Sequence, residues 1–195
     1  EWLVRDNLAV IRQLGFEPLE CARTVAGQID EKQSQWLASE FRRTYSNEQA
    51  SRPVDKVDTE LYTLANDVLS QCWQDGDKAS LEAAYAPYCV MHRAPLQRYS
   101  GREAILDHYG QWRQAFPDAR LCVDHVCNQP FDTNNQRIAI RWSVAGHHQG
   151  EFANQPGTGK PVYILGVTHW QLVDGRIAAE WTVFEELAVL AQTLI

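Results

Sequence analysis

Apolar side chains recur every three or four residues over the first part of the chain and every second residue over its last part. That change of period predicts helices first and strands after. Residues 6–45 read as helix: Leu8, Ile11 and Leu14, then Ala22, Val25, Ala26 and Ile29, then Trp36, Leu37, Phe41 and Tyr45, with a break between Gly15 and Pro18. Residues 46–56 are polar, contain Pro53 and lack periodicity, which marks a linker. Leu61, Leu64, Val68 and Cys72 then share one helical face, and Gly76 closes that helix. A short helix passes through Pro87 into an extended segment, Tyr88 to His92. In the next helix Ile105, Tyr109, Trp112 and Phe116 line one side, Ser100 and Glu103 suit a capping box, and Pro117 is the stop.

Residues 119–127, 136–147, 162–173 and 176–184 alternate apolar and polar positions and are separated by turn residues, so they read as strands. Asp174-Gly175 fits a type I′ hairpin turn that pairs Val173 with Arg176. Regular pairing outward sets His169 opposite Glu180 and Val167 opposite Thr182. One face then carries Val162, Ile164, Gly166, Thr168, Trp170, Leu172, Ile177, Ala179, Trp181 and Val183; the other carries Tyr163, Val167, His169, Gln171, Ala178, Glu180 and Thr182. The first is the apolar face and is expected to pack on the helices. Helices followed by a run of antiparallel strands indicate an α+β fold, a bent sheet wrapped around helices.

Composition narrows the function. The chain has 195 residues, 45% of them apolar, 22% charged and 10% aromatic, which excludes disorder as the main state. A net charge of -7 and the lack of a Lys/Arg cluster argue against a nucleic-acid partner. No apolar stretch approaches the roughly 20 residues of a membrane span, so no membrane role is expected. Five cysteines, an odd number without Cys-x-x-Cys spacing, suggest reduced thiols and a cytoplasmic location. The six histidines include no His-x-His or His-x-x-x-His pair, and adjacent His147 and His148 point to opposite faces of a strand; no metal is expected.

The two ends of the chain resemble each other. Residues 1–16, EWLVRDNLAVIRQLGF, align without gaps on residues 180–195, EWTVFEELAVLAQTLI, with identities at Glu1/Glu180, Trp2/Trp181, Val4/Val183, Leu8/Leu187, Ala9/Ala188, Val10/Val189 and Gln13/Gln192. On this reading residues 1–55 are the closing strand and helix of a preceding copy plus a helical connector, and residues 56–195 are one complete unit. A start at Glu1 rather than Met agrees with it.

From Leu61 to Leu194 the chain resembles the SnoaL-like polyketide cyclases of the NTF2-like superfamily. The resemblance rests on Gly101-Arg102-Glu103-Ala104-Ile105, Phe116-Pro117-Asp118, Arg141-Trp142, Gly146-His147-His148, Gly150-Glu151-Phe152, Gly157-Thr158-Gly159-Lys160, and Asp174-Gly175-Arg176-Ile177 leading to Trp181. It implies an NTF2-like, cystatin-like cone: a curved antiparallel sheet wrapped around helices with an internal pocket. It also implies cofactor-independent acid–base chemistry, in which a pocket carboxylate moves a proton during an aldol-type ring closure. Cyclase-type members carry an acid directly after the Trp of the last strand; here Thr182 occupies that position, and Leu3 does so in the first copy.

Candidate catalytic residues are therefore His92, where the family often places a polar pocket residue, Arg141, suited to an enolate or other anionic oxygen, and His148, which shares parity with Trp142. Tyr109, Trp112, Trp142, Thr168, Trp170 and Trp181 are the expected pocket lining. Two functions stay open: a cyclase or isomerase acting on a polyketide- or steroid-like molecule, and a non-catalytic module binding a small apolar ligand. An assembly domain is the third. The expected partner in assembly is a second copy, as a homodimer or as the preceding repeat.

Overall fold

The turn at Asp174-Gly175 has φ of 50° and 75°, the two left-handed residues of a type I′ hairpin, and pairs Val173 with Arg176 as expected. Three residues into the ladder the pairing slips: Leu172 faces Ile177, but Gln171 faces Ala179. Ala178 is the extra residue of a β-bulge, and beyond it every side chain of the strand exchanges faces. Trp170 thus lies opposite Glu180 and His169 opposite Trp181, which corrects the His169–Glu180 pairing and the placing of Trp181 with Trp170.

The computed structural model describes residues 8–13, 15–46, 59–94, 97–130, 132 and 135–195. Three helices come first: α1 (Leu8–Gln13), α2 (Pro18–Ala26) and α3 (Glu31–Tyr45). Gly15, with φ of 81°, makes the expected break. A second break separates α2 from α3, where the Asp30 side chain accepts from Gln33 N and Gln33 returns the bond, a capping box that starts α3 afresh. The repeat's first strand and, beyond Ser46, the polar linker lie outside the described residues.

Helix α4 (Thr59–Ser70) runs into a π-helical turn, Gln71–Asp75, capped by left-handed Gly76. Helix α5 (Lys78–Ala84), β1 (Tyr85–Ala94), β2 (Gln97–Ser100) and α6 (Arg102–Ala115) follow. The capping box expected at Ser100 and Glu103 does not form. Ser100 pairs with Val90 in the sheet, and Gly101 becomes the N-cap at φ 85°, its N–H bound to Cys89 O at 2.8 Å. Strands β3 (Arg120–Pro130), β4 (Gln136–His147), β5 (Pro161–Val173) and β6 (Arg176–Phe184) lead to the closing helix α7 (Glu186–Gln192).

The six strands form one curled sheet in the order β2-β1-β6-β5-β4-β3, antiparallel throughout except for the parallel pair β1–β6. Its concave face packs on α4, the π-helical turn, α5 and α6 through Leu69, Trp73, Leu81, Ile105, Tyr109, Ile140, Trp142 and Trp170, all buried. Gly166 is required in this layer, because a Cβ there would lie 2.3 Å from the Trp142 ring. On the convex face α3 crosses β3, β4 and β5: Thr44 Oγ1 meets Ser143 Oγ at 3.1 Å, and Trp36 stands edge-on to Tyr163. Helices α1, α2 and α7 share a separate small core of Leu8, Ile11, Ala22, Leu187, Leu190 and Ala191.

Candidate active site

The bulge at Ala178 turns Glu180 into the concave interior, where it is 0% exposed. Four donors converge on its carboxylate. Tyr85 OH and Trp170 Nε1–H reach Oε2 at 2.5 and 3.1 Å; Tyr109 OH and Thr182 Oγ1–H reach Oε1 at 2.6 Å each. A carboxylate has about four lone-pair directions, so its acceptor capacity is filled.

The donors are themselves ordered. Trp142 Nε1 lies 2.9 Å from Thr168 Oγ1, which lies 2.8 Å from Thr182 Oγ1. An indole N–H can only donate, and the one Thr182 proton is spent on Glu180, so Thr168 donates to Thr182. Every proton in the chain Trp142, Thr168, Thr182 points toward the carboxylate. Burial pushes both Tyr85 and Tyr109 well above the ordinary phenol range, and the neighbouring Cys72 and Glu180 add to it; both remain protonated donors. Cys72, whose Sγ is 3.7 Å from Tyr85 OH, is likewise raised by burial and by Glu180.

Around this polar centre stands an aromatic wall. Trp73, on the π-helical turn, lies 5.8 Å from Tyr109, 5.6 Å from Trp112, 5.1 Å from Trp142 and 5.6 Å from Phe184. Beyond it, toward α7, Arg93 of β1 bonds Glu186 Oε1 at 2.6 Å, and His108 stacks on Tyr99 at 4.5 Å. Burial and the Arg93 charge depress His108 to about 3, which keeps it neutral.

Tyr109 and Trp170 thus meet at one carboxylate, with Thr168 one bond behind through Thr182, Trp142 behind Thr168, and Trp112 in the wall. Trp181, His92 and Arg141 take no part in the Glu180 bonds and lie on the other face of the sheet. Trp181 is 42% exposed on the convex face, where the bulge puts it, and the His92 ring stacks on it at 5.5 Å. Arg141 is exposed on the same side, because its neighbour Trp142 points inward. His148 is buried just past the end of β4, beside Phe116 and Phe152, with Nδ1 3.2 Å from Thr158 Oγ1; it joins none of the Glu180 bonds and pins the loop before β5.

Sequence reasoning set Glu180 on the wrong face and did not single out Tyr85, Trp73, Arg93 or Glu186. The misleading signal was the unbroken apolar alternation Ile177, Ala179, Trp181, Val183, which concealed the bulge.

Three cavities lie outside this centre. An apolar groove of about 610 Å³ runs along the convex side of β5 and β6 past Trp36, Val167 and Trp181 and reaches Phe184. A polar one of about 1170 Å³ lies between α5 and α6, and a third of about 350 Å³ lies under α3 at His147. Among the described residues no cluster of three His, Cys, Asp or Glu side chains is positioned for a metal, and no helix is long and apolar enough to cross a membrane.

The fold has relatives. No curated protein is matched by the chain. IdmH of Streptomyces antibioticus, a candidate polyketide cyclase, is 27% identical with a TM-score of 0.56, over 68% of this chain and 96% of IdmH. A candidate SnoaL-like polyketide cyclase of Jannaschia sp. CCS1 is 19% identical with a TM-score of 0.59, over 73% and 97% of the two chains. AclR of Streptomyces galilaeus, a candidate hydroxylase, is 23% identical with a TM-score of 0.57, over 70% and 86%. Residues 63–193, about two thirds of the chain, match the sequence profile of the SnoaL-like polyketide cyclases. The chain belongs to that family.

Proposed function

We propose that the protein is a cofactor-free acid–base catalyst of the SnoaL-like type, acting on an apolar, ketone-bearing polyketide- or steroid-like molecule, with Glu180 as the proton carrier. One observation carries this reading: a buried carboxylate on the concave face, held by two phenols, an indole and a threonine, with no cation bonded to it among the described residues. Glu180 takes a proton from the carbon next to a ketone. The resulting enolate carbon bonds to a second carbonyl of the same molecule, whose C–O π bond opens, and the alkoxide takes the proton back. When the carboxylate is protonated, a Tyr109 or Tyr85 hydroxyl is released from it and turns to the developing oxyanion.

The test is a partial reaction, because the substrate is not needed for it. With hydroxyacetonaphthone in heavy water, the full chain is expected to speed exchange of the acetyl hydrogens, and E180Q to lose about a hundredfold or more of that rate. Equal rates for E180Q and wild type refute the reading. A second reading, ligand binding without turnover, is favoured by the complete burial of Glu180 and by the apolar groove on the opposite side of the sheet. Its signature is saturable binding of the same ketone without exchange.

For assembly we propose that a preceding SnoaL-like copy, whose closing strand and helix are residues 1–16 and which a helical connector joins to residue 56, sits about a pseudo-two-fold axis at α1 and α7. Leu8 and Leu187 are equivalent in the repeat, as are Ile11 and Leu190, and all four share one core. A core shared by equivalent residues of two copies is compatible with a two-fold axis passing through it. Deleting residues 1–45 is expected to lower the melting temperature and expose the α7 face; an unchanged melting temperature and oligomeric state refute this.

A further inference from the structure

Two buried donors stand in the concave core without taking part in the Glu180 network. Arg93 is 4% exposed; its Nη2 bonds Glu186 Oε1 at 2.6 Å, and the other Glu186 oxygen takes the Leu8 N–H at 3.3 Å. Its Nε and Nη1 have no partner among the described residues. Trp73 is 1% exposed, and its indole N–H is equally unpartnered. Native interiors leave few buried donors unmatched, so two around one ring call for an explanation.

That ring is Phe184. The guanidinium carbon of Arg93 lies 3.8 Å over its centroid, and Trp73 stands 5.6 Å away at 62°. Phe184 also lines the apolar groove on the convex side, so it separates that groove from the donors within. Trp112 and Trp142 complete an aromatic enclosure, with centroids 4.9 and 5.8 Å from Phe184.

We infer that Arg93 and Trp73 form a subsite for the ketone or phenol oxygens of a flat aromatic ligand, which enters from the groove by displacing the Phe184 ring. The inference rests on the catalytic reading above and assigns a second set of donors on the same concave face. The chemistry follows from what is unspent. Both groups only donate, so the ligand must accept. Glu186 already balances the Arg93 charge, and neighbouring His108 is neutral, so a polar oxygen suits the subsite better than a full anion. The walls are ring faces and edges, which favour an aromatic body.

The experiment is titration of the full chain with hydroxyacetonaphthone and with ethylnaphthalene, a probe of similar shape without acceptors, followed by tryptophan fluorescence. The wild type is expected to prefer the ketone. W73F removes one N–H and keeps an aromatic ring; it is expected to weaken ketone binding about threefold to tenfold and leave ethylnaphthalene unchanged. R93M/E186M removes both charges together, so neither is left buried alone, and is expected to weaken the ketone by about tenfold or more. Circular dichroism confirms that each variant is folded. The inference is overturned if wild type binds the two probes equally, or if both variants keep the preference for the ketone. E180Q separates this result from the catalytic one, since it is expected to retain the ketone preference while losing exchange.

Discussion

Glu180 and Trp181 are neighbours on β6 and occupy opposite sides of the sheet. Inside, a carboxylate is gripped by four donors and enclosed by aromatic rings. Outside, Trp181, His92, Val167 and Arg141 form an open surface with few directed contacts. The two regions come from the same strands, and one extra residue, Ala178, decides which side chains belong to which. The site is therefore a property of register before it is a property of residue type, and the ways to break the contrast follow in order of effect.

Deleting Ala178 has the largest consequence. Regular pairing turns Glu180, Thr182 and Phe184 outward and drives Trp181 into a filled interior. The variant is expected to lose cooperative unfolding altogether in a urea titration followed by fluorescence. E180A is next: it leaves four buried donors without their acceptor, at a cost of about 3 kcal/mol or more measured by the same titration. Y109F removes one charge-assisted bond and keeps the ring, so about 1.5 to 3 kcal/mol is expected.

The pH dependence samples the inner side again. His108 is neutral when folded and titrates at about 3, below its unfolded value of about 6.5. Its contribution is complete above the unfolded value and is lost as pH falls toward the folded one. Each pH unit in that window costs up to about 1.4 kcal/mol, so stability at pH 5 falls by about 2 kcal/mol relative to pH 7. H108Q is expected to remove this part of the slope in urea titrations at the two pH values. The smallest effects belong to the convex face, where H92A and R141A are expected to change stability by less than about 0.5 kcal/mol and leave exchange unaltered.

Much of the architecture was legible in the sequence. The strand ranges, the Asp174-Gly175 turn and the stop at Gly76 follow from alternation and from residues able to adopt positive φ, which are local signals. The helix break before α3 was also local, in the Asp30 and Gln33 pair, but continuing apolar spacing masked it. The facing of β6 was not local. Its alternation is equally good in either register, and only the ladder to β5 selects the one that buries a glutamate. Tyr109 and Trp170 were found because large inward side chains are candidates in any register. Trp181 was drawn in by a face that the bulge reverses, His92 by the family resemblance and Arg141 by residue type.

The central claim is that the concave carboxylate, and no group on the convex face, moves the proton. It is tested most directly by comparing the rate of acetyl hydrogen exchange in hydroxyacetonaphthone for wild type, E180Q and R141A at equal folded concentration. The account predicts that R141A matches wild type while E180Q loses about a hundredfold or more. Exchange that survives in E180Q, or that disappears in R141A, contradicts it.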